Sequence, residues 1–509
     1  MSCDIASCSA SSLRTASSRR RRRQPPMPSL LDRIARLWPT KGALSTASGQ
    51  RIALGAATAL LASIPLIVAR ANVSTAIADV VLVSLLVLVG GLYLVRNERD
   101  VWERFRDVAI LATLVLGVVY GTWLSAMLLP GVPPYVLPIP LAPILATLLL
   151  NPRVGILIAV VGVGVGILFS VLDGAHVVGS LLATAAGVTA MGVISERSRL
   201  ISAGGLVVAV TGASALGATL IEGAALSQAV VAGGLGLVGG AITVILMLGL
   251  LPIFELVFGV TTDVRLLELA NPGHPLLKRL MMEAPGTYSH SVMTGNLAES
   301  AAQHIGANAL LTRVGAYYHD IGKIRRPGFF VENQAGLANP HDNTSPALSA
   351  LIITAHVREG VELAEEYRLP QEVVEIVRQH HGTSMVVYFY NKAAASGGPV
   401  YEADFRYSGE RPRSREAALV MLADSAEAAV RATVKPTPPR IEEVVRKVVS
   451  TKLADHQLDL ANMTLAEIEA VIGVYTRLLS SVYHPRLEYP DVVSGRDKHA
   501  GQRNEPSRA

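Results

Sequence analysis

Eight apolar stretches follow one another between Ile52 and Phe258, at 52–69, 76–95, 108–129, 135–150, 154–172, 177–194, 200–221 and 228–258. Most approach the ~20 residues that a helix needs to cross a hydrocarbon core about 30 Å thick. A helix satisfies its own backbone there, so this part of the chain is expected to fold as membrane-spanning helices. The fourth stretch is short and carries Pro138, Pro140 and Pro143, which reads as a kinked or re-entrant element screened by its neighbours. Composition agrees: 50% of residues are apolar, 17% are charged and mean hydropathy is +0.41, whereas an ordinary soluble domain has roughly a quarter of its residues charged. A wholly soluble enzyme is excluded.

Residues 1–51 are polar and rich in Ser and Pro, contain the run Arg19 to Arg23, and read as a disordered basic tail. The first apolar stretch leads directly to further ones, so it reads as an uncleaved membrane helix rather than a secretory signal. Basic residues alternate between loops. The tail is followed by Arg96, Arg99, Arg104 and Arg106, then Arg153, then Arg197 and Arg199, while the opposite loops hold only Arg70. The positive-inside tendency therefore predicts a multi-pass protein of the cell (inner or plasma) membrane, with both termini and everything after Phe258 cytoplasmic. The net charge of +5 is read as topology, and no polymeric nucleic acid is expected as partner. Most spans carry no ionisable residue at mid-depth, which argues against a transporter or proton pump and for an anchor or sensor.

Residues 264–490 are charged and amphipathic. Apolar positions three and four apart, as in Leu266, Leu267 and Leu269, Leu276, Leu277 and Leu280, and Val373, Val374, Ile376 and Val377, predict an all-α domain. The Gly397–Arg415 stretch reads as a long surface loop and 491–509 as a disordered tail. Cys3 and Cys8 are the only cysteines, so no disulfide framework or thiolate site is available. Any metal must be held by imidazoles and carboxylates.

Most of the twelve histidines lie in this second region. The central motif is His319-Asp320-Ile-Gly-Lys323. Adjacent His and Asp on a helix point about 100° apart, so they can grip a site from two sides, and a carboxylate there can bridge two ions. Around it stand His290, His356, the doublet His380-His381, and Asp424, most of them within or next to apolar helical segments. Singly, each reads as an ordinary core or surface residue. As a set, their burial without partners would be costly, and a shared metal centre removes that cost.

These segments resemble the HD-superfamily phosphohydrolases, and within them the seven-transmembrane HD proteins that hydrolyse cyclic di-AMP. The resemblance is carried by Ala284-Pro-Gly-Thr-Tyr-Ser-His290-Ser, Gly315-Ala-Tyr-Tyr-His319-Asp320-Ile-Gly-Lys323, Asn339-Pro-His-Asp-Asn343 and His380-His381-Gly-Thr. It continues through Val420-Met-Leu-Ala-Asp424-Ser-Ala-Glu-Ala-Ala-Val-Arg431 to Tyr483-His-Pro-Arg-Leu-Glu-Tyr489. It covers about 220 residues, together with the multi-span segment before them, whose last seven stretches match the family's seven-span unit. It implies His290, His319, Asp320 and Asp424 around one divalent ion and Asp320, His356, His380 and His381 around a second, with Asp320 bridging. Manganese or iron are the expected ions, with zinc or cobalt allowed by the same ligands. In one respect the sequence departs from the family: about six residues join the first two stretches, where relatives carry a sizeable extracellular domain, so regulation by an external ligand is in doubt.

The resemblance further implies hydrolysis of a phosphodiester without a covalent intermediate, opening cyclic di-AMP to linear pApA. Asp320 and Lys323 would carry the catalytic role, with Lys323 and Arg431 as substrate-binding cations near non-bridging oxygens. Tyr388, Phe389 and Tyr390 read either as base-stacking or as core residues. Three other readings stand beside this one. A cyclic di-GMP phosphodiesterase of the HD-GYP type would follow its doublet with Glu and Gly-Tyr-Pro, but here Gly382-Thr383-Ser384 follows. A mononuclear nucleotidase would not need His356, His380 and His381 together. A non-catalytic nucleotide-binding receptor would be expected to lose a ligand. Whether the chain forms a homodimer is left open.

Overall fold

The structure is a computed structural model that describes residues 46–483, apart from breaks at 71, 173, 193–196, 335, 337, 398 and 435. Most of the 1–51 tail with Cys3, Cys8 and Arg19 to Arg23, the 484–489 segment and the 491–509 tail lie outside the described residues. The first half runs α1 (Thr46–Ala69), α2 (Val73–Asn97), the short α3 (Arg99–Glu103), α4 (Phe105–Leu128), α5 (Leu141–Leu149), α6 (Pro152–Leu168), α7 (Gly174–Met191), α8 (Arg197–Ile221) and α9 (Leu226–Phe258). Among the described residues, six of these helices are long and apolar enough to cross a membrane, namely α1, α2, α4, α7, α8 and α9.

The fourth and fifth apolar stretches form shorter elements. The prolines of the fourth confine it to a single 3-10 turn at Pro134–Val136 and the nine-residue α5. That turn is half-buried against α9. A Cβ at Gly239 of α9 would collide with the backbone of Tyr135, so only glycine leaves room for it there. Helix α9 has 33 residues and so spans ~50 Å, more than the hydrocarbon core, and it ends at Gly259 in a left-handed conformation (φ 60°). Arg106, from the start of α4, donates to the Gly259 carbonyl at 2.9 Å and ties down this exit.

The second half is also helical: α10 (Asp263–Leu269), α11 (Pro275–Glu283), α12 (Pro285–Ile305), α13 (Ala309–Tyr318), α14 (Pro346–Glu366), α15 (Gln371–Gln379), α16 (Val387–Ala394), α17 (Arg415–Arg431), α18 (Pro438–Ala454) and α19 (Leu465–Val482). Side-chain caps start many of them, with Thr262, Asn308, Ser345, Ser414 and Thr464 each accepting from a backbone N–H of the first turn. Among the described residues no strand forms, only an isolated bridge between Met385 and Arg406. The all-α expectation therefore holds.

Two cores carry this half. One joins α12, α17, α18 and α19, where Ala298, Ala301, Ala302, Ala418, Ala423 and Ala426 let the helices approach closely. The other joins α10, α11, α13, α14 and α15 around Leu269, Leu277, Tyr318, Leu363 and Val377. The expectation of a plain surface loop at 397–415 needs correction. Phe405 and Tyr407 are buried, and Tyr407 N–H donates to the Ser384 carbonyl at 3.0 Å. Between them Arg406 pairs with Glu402 and Asp455, which folds the segment back over the domain.

Candidate metal centre

Five helices deliver the histidines and aspartates to one place between the two cores. His290 lies in the second turn of α12, His319 caps the end of α13 and Asp320 follows it, His356 is midway along α14, His380 and His381 follow α15, and Asp424 is midway along α17. Asp320 is not on a continuing helix, as the sequence reading had it. Helix α13 stops at Tyr318, and Ile321–Arg325 form a 3-10 turn. Gly322 in that turn lies directly on the carbonyl of His356, with no room for a Cβ, and this contact brings His319 and Asp320 against α14.

The seven side chains form two overlapping groups, Asp320 with His356, His380 and His381, and Asp320 with His290, His319 and Asp424; the ligand atoms of each group lie within 4.8 Å of one another. Asp320 divides its oxygens between them. Oδ1 faces His356 Nε2 at 3.3 Å and His380 Nε2 at 3.7 Å, while Oδ2 faces His319 Nε2 at 3.2 Å and His290 Nε2 at 3.7 Å. Asp424 Oδ1 lies 3.0 Å from His290 Nε2, and its Oδ2 lies 3.6 Å from His381 Nδ1. His319, Asp320, His356 and His380 are at most 1% exposed.

The far side of each ring fixes what the near side offers. Nδ1 of His319, His356 and His380 donates to the carbonyls of Ala316, Ile353 and Val377 at 2.6, 2.6 and 2.7 Å. His356 and His380 therefore turn an Nε2 lone pair inward, the ligating tautomer, and His319 points its Nε2 the same way, toward Asp320. His290 differs, since its Nδ1 meets the Glu427 carboxylate at 2.6 Å. Imidazole nitrogens and carboxylate oxygens converging in a buried space, with His319 Nε2 and both Asp320 oxygens left without a hydrogen-bond partner, are what a cation would bind, so this donor set fits a divalent metal site.

Electrostatics divide the cluster, with three rings kept neutral and His290 and His319 drawn toward the protonated form by the carboxylates beside them. Burial pushes His380 down to about 3, helped by the neighbouring His319 and His356, and burial likewise lowers His356 and His381, so these rings stay neutral. Burial alone would raise the Asp320 carboxyl, but His319 and Lys323 beside it hold it well below its usual range. Burial would lower His319 too, but Asp320 and Asp424 outweigh that and lift it to about 10.

Lys323 and Arg431 are not free cations. Lys323 Nζ lies 2.7 Å from Asp320 Oδ2 and 2.9 Å from Glu332, over the ring of Phe330, while Arg431 lies 3.5 Å from Glu427. Phe389 joins a small core with Ala350 and Phe405, Tyr390 packs against that core, and Tyr388 is exposed. Sequence reasoning assigned no role to Glu427, Glu332 or Tyr407. Tyr407 stacks on His381 with ring centroids 4.3 Å apart. Glu427 stands three residues after Asp424, and that helical spacing was the available signal.

Apolar spanning helices followed by an all-helical domain with this cluster define a membrane-bound protein of the HD class. Residues 73–262 match the family described as 7TM receptor with intracellular HD hydrolase, and residues 287–429 match the HD domain. The chain belongs to the seven-transmembrane HD proteins. It is 41% identical over 370 residues to the cyclic-di-AMP phosphodiesterase PgpH of Bacillus subtilis (strain 168), covering 70% of this chain and 52% of the relative. To the protein of the same name from Listeria monocytogenes serotype 1/2a it is 40% identical over 362 residues, covering 70% and 50%. It thus spans about half the length of these curated relatives. A crystal structure of the L. monocytogenes phosphodiesterase PgpH HD domain in complex with cyclic-di-AMP is 46% identical, with a TM-score of 0.41, covering 42% of this chain and all of that one.

Proposed function

We propose that this chain is a membrane-anchored, metal-dependent phosphodiesterase that hydrolyses cyclic di-AMP to linear pApA at a dinuclear His/Asp site. The observation that carries the reading is the pair of overlapping ligand groups sharing Asp320, in a chain whose relatives in Bacillus subtilis and Listeria monocytogenes are named cyclic-di-AMP phosphodiesterases. His290, His319, Asp320 and Asp424 hold one ion, and Asp320, His356, His380 and His381 the other; manganese or iron suit mixed imidazole and carboxylate ligands. Such a pair of ions supplies Lewis acidity for in-line hydrolysis of a phosphodiester. Around it the chain's own groups do the rest. Asp320 would serve both positions, with Oδ1 toward His356 and His380 and Oδ2 toward His319 and His290. Lys323, held by Glu332, keeps a positive charge beside Asp320 for a non-bridging phosphate oxygen, and Arg431 offers a second at the rim, more exposed to solvent.

The domain limits follow the composition, with a tail at 1–51, membrane helices over 52–258, the hydrolase domain over 264–490 and a tail at 491–509. The alternation of arginines supports a cytoplasmic hydrolase domain and cytoplasmic termini. The test is product formation from labelled cyclic di-AMP by the full chain with added manganese, beside Asp320→Ala. Turnover only in the unaltered chain supports the reading, turnover in both discredits the metal assignment, and turnover in neither favours a nucleotide-binding receptor. Cyclic di-GMP in parallel decides base preference.

A further inference from the structure

The two ligand groups differ in what stands behind them. In the group containing Asp424, His290 Nδ1 meets Glu427 at 2.6 Å, and that carboxylate also accepts from the Tyr483 hydroxyl at 2.7 Å. Asp320, Asp424 and Glu427 thus gather three carboxylates on this side. The other group has Asp320 as its own carboxylate, with Asp424 Oδ2 reaching only the outer ligand His381, at 3.6 Å from Nδ1. His356 and His380 are backed by neutral carbonyls, and His381 lies against the Tyr407 ring. The nearby cations do not cancel this difference. Lys323 lies 2.7 Å from Asp320 Oδ2, but its charge is matched by Glu332 at 2.9 Å, and Arg431 stands 3.5 Å from Glu427 with its side chain 36% exposed, where solvent screens it. Lys452 donates to the Ser384 hydroxyl at 2.8 Å, outside both groups. A full negative charge accepting the ring N–H makes the opposite nitrogen a stronger donor to a metal than a carbonyl does, and it fixes the tautomer. More carboxylates around one position also attract a divalent ion more strongly.

We propose that Glu427 is a positioning residue, acting through His290, that makes the His290, His319, Asp320 and Asp424 group the tighter of the two metal sites, so that the centre fills there first. The inference rests on the dinuclear reading above. It is tested by binding alone: the full chain in detergent, stripped of metal with a chelator, is titrated with manganese against a competing fluorescent chelator. The unaltered chain should show two resolved steps. His356→Ala should remove the weaker step and keep the tighter one. Glu427→Gln should weaken the tighter step ~10–100-fold and leave the weaker within about threefold. Tyr483→Phe, which keeps the carboxylate but loses its hydroxyl partner, should shift the tighter step the same way by less, and it decides the matter if Glu427→Gln does not fold. Two equal steps in the unaltered chain, equal weakening of both steps by Glu427→Gln, loss of the tighter step in His356→Ala, or an unshifted tight step in both Glu427→Gln and Tyr483→Phe would overturn the proposal alone. No manganese uptake by the unaltered chain overturns the dinuclear reading, and this inference with it.

Discussion

Both halves of the molecule bury charge, and they deal with it in opposite ways. In the membrane half Asp79 meets Arg70 at 2.7 Å, Asp107 meets Arg106 at 3.1 Å, and Glu98 accepts from Asn151 at 3.0 Å with Arg153 at 3.2 Å. Arg70 also donates to the Leu168 carbonyl at 2.6 Å. These are closed pairs, each carboxylate facing a donor. In the second half Asp320 pairs with Lys323 at 2.7 Å yet also faces four imidazole nitrogens at 3.2 to 3.7 Å, two of which, on His356 and His380, turn a lone pair toward it. Closed pairs hold helices together, whereas facing acceptors leave a place for an ion.

The largest effect should come from Asp320→Ala, which removes the carboxylate shared by both groups. We expect loss of both metal equivalents by elemental analysis and a fall in cyclic di-AMP turnover on the order of 10³-fold or more, since the residue acts with the others as a unit. Retention of one tightly held ion would show that Asp320 is not shared. The next effect is on stability. Manganese at about 100 times its dissociation constant should stabilise the unaltered chain by ~2.7 kcal/mol, read as a raised unfolding temperature in detergent, and should leave Asp320→Ala unmoved. Equal shifts in both would place the ion elsewhere.

A smaller effect is expected from the closed pairs. Asp79→Asn keeps the shape but removes the charge that Arg70 faces. Arg70 is a third exposed, so solvent softens the loss, and about 1 kcal/mol of stability is expected to go. The manganese-induced rise should be that of the unaltered chain. A variant that loses that rise would mean that the two halves do not treat their charges independently.

How legible this was in the sequence follows from distance along the chain. His319-Asp320 and His380-His381 announce themselves as doublets, and His290, His356 and Asp424 stand in short motifs, so the seven converging positions were readable one motif at a time. Glu427 was not, because its meaning depends on His290, 137 residues earlier. Tyr407 was hidden by the Gly, Pro and Arg content of its segment, which masks the alternation that buries Phe405 and Tyr407 around an outward Arg406. The helical character of the membrane half was readable from the length of its apolar stretches, and that of the second half from apolar periodicity. The end of α13 at Tyr318 was not, since no proline or glycine stands between Tyr318 and Asp320; the break is set by the contact of Gly322 with α14.

The smallest effect probes whether nearness to the centre or the kind of partner decides how a group behaves. Tyr318 immediately precedes His319 and is fully buried, but its hydroxyl points away and donates to the Leu269 carbonyl of α10 at 2.9 Å. Helix α10 lies where the two halves join. Leu266 and Leu269 belong to the core of the second half, Val264 and Leu267 pack against the core of the membrane half, and Thr261 just before it hydrogen-bonds Glu372 of α15. The Tyr318 bond is thus a closed pair placed one residue from a ligand. Tyr318→Phe leaves the Leu269 carbonyl without its donor and should cost about 1 kcal/mol. It should still show the full manganese-induced rise in unfolding temperature, as Asp79→Asn does. If that rise is lost, proximity rather than partner chemistry governs the response, because the position of α13 and the ligand that follows it would depend on the grip of α10.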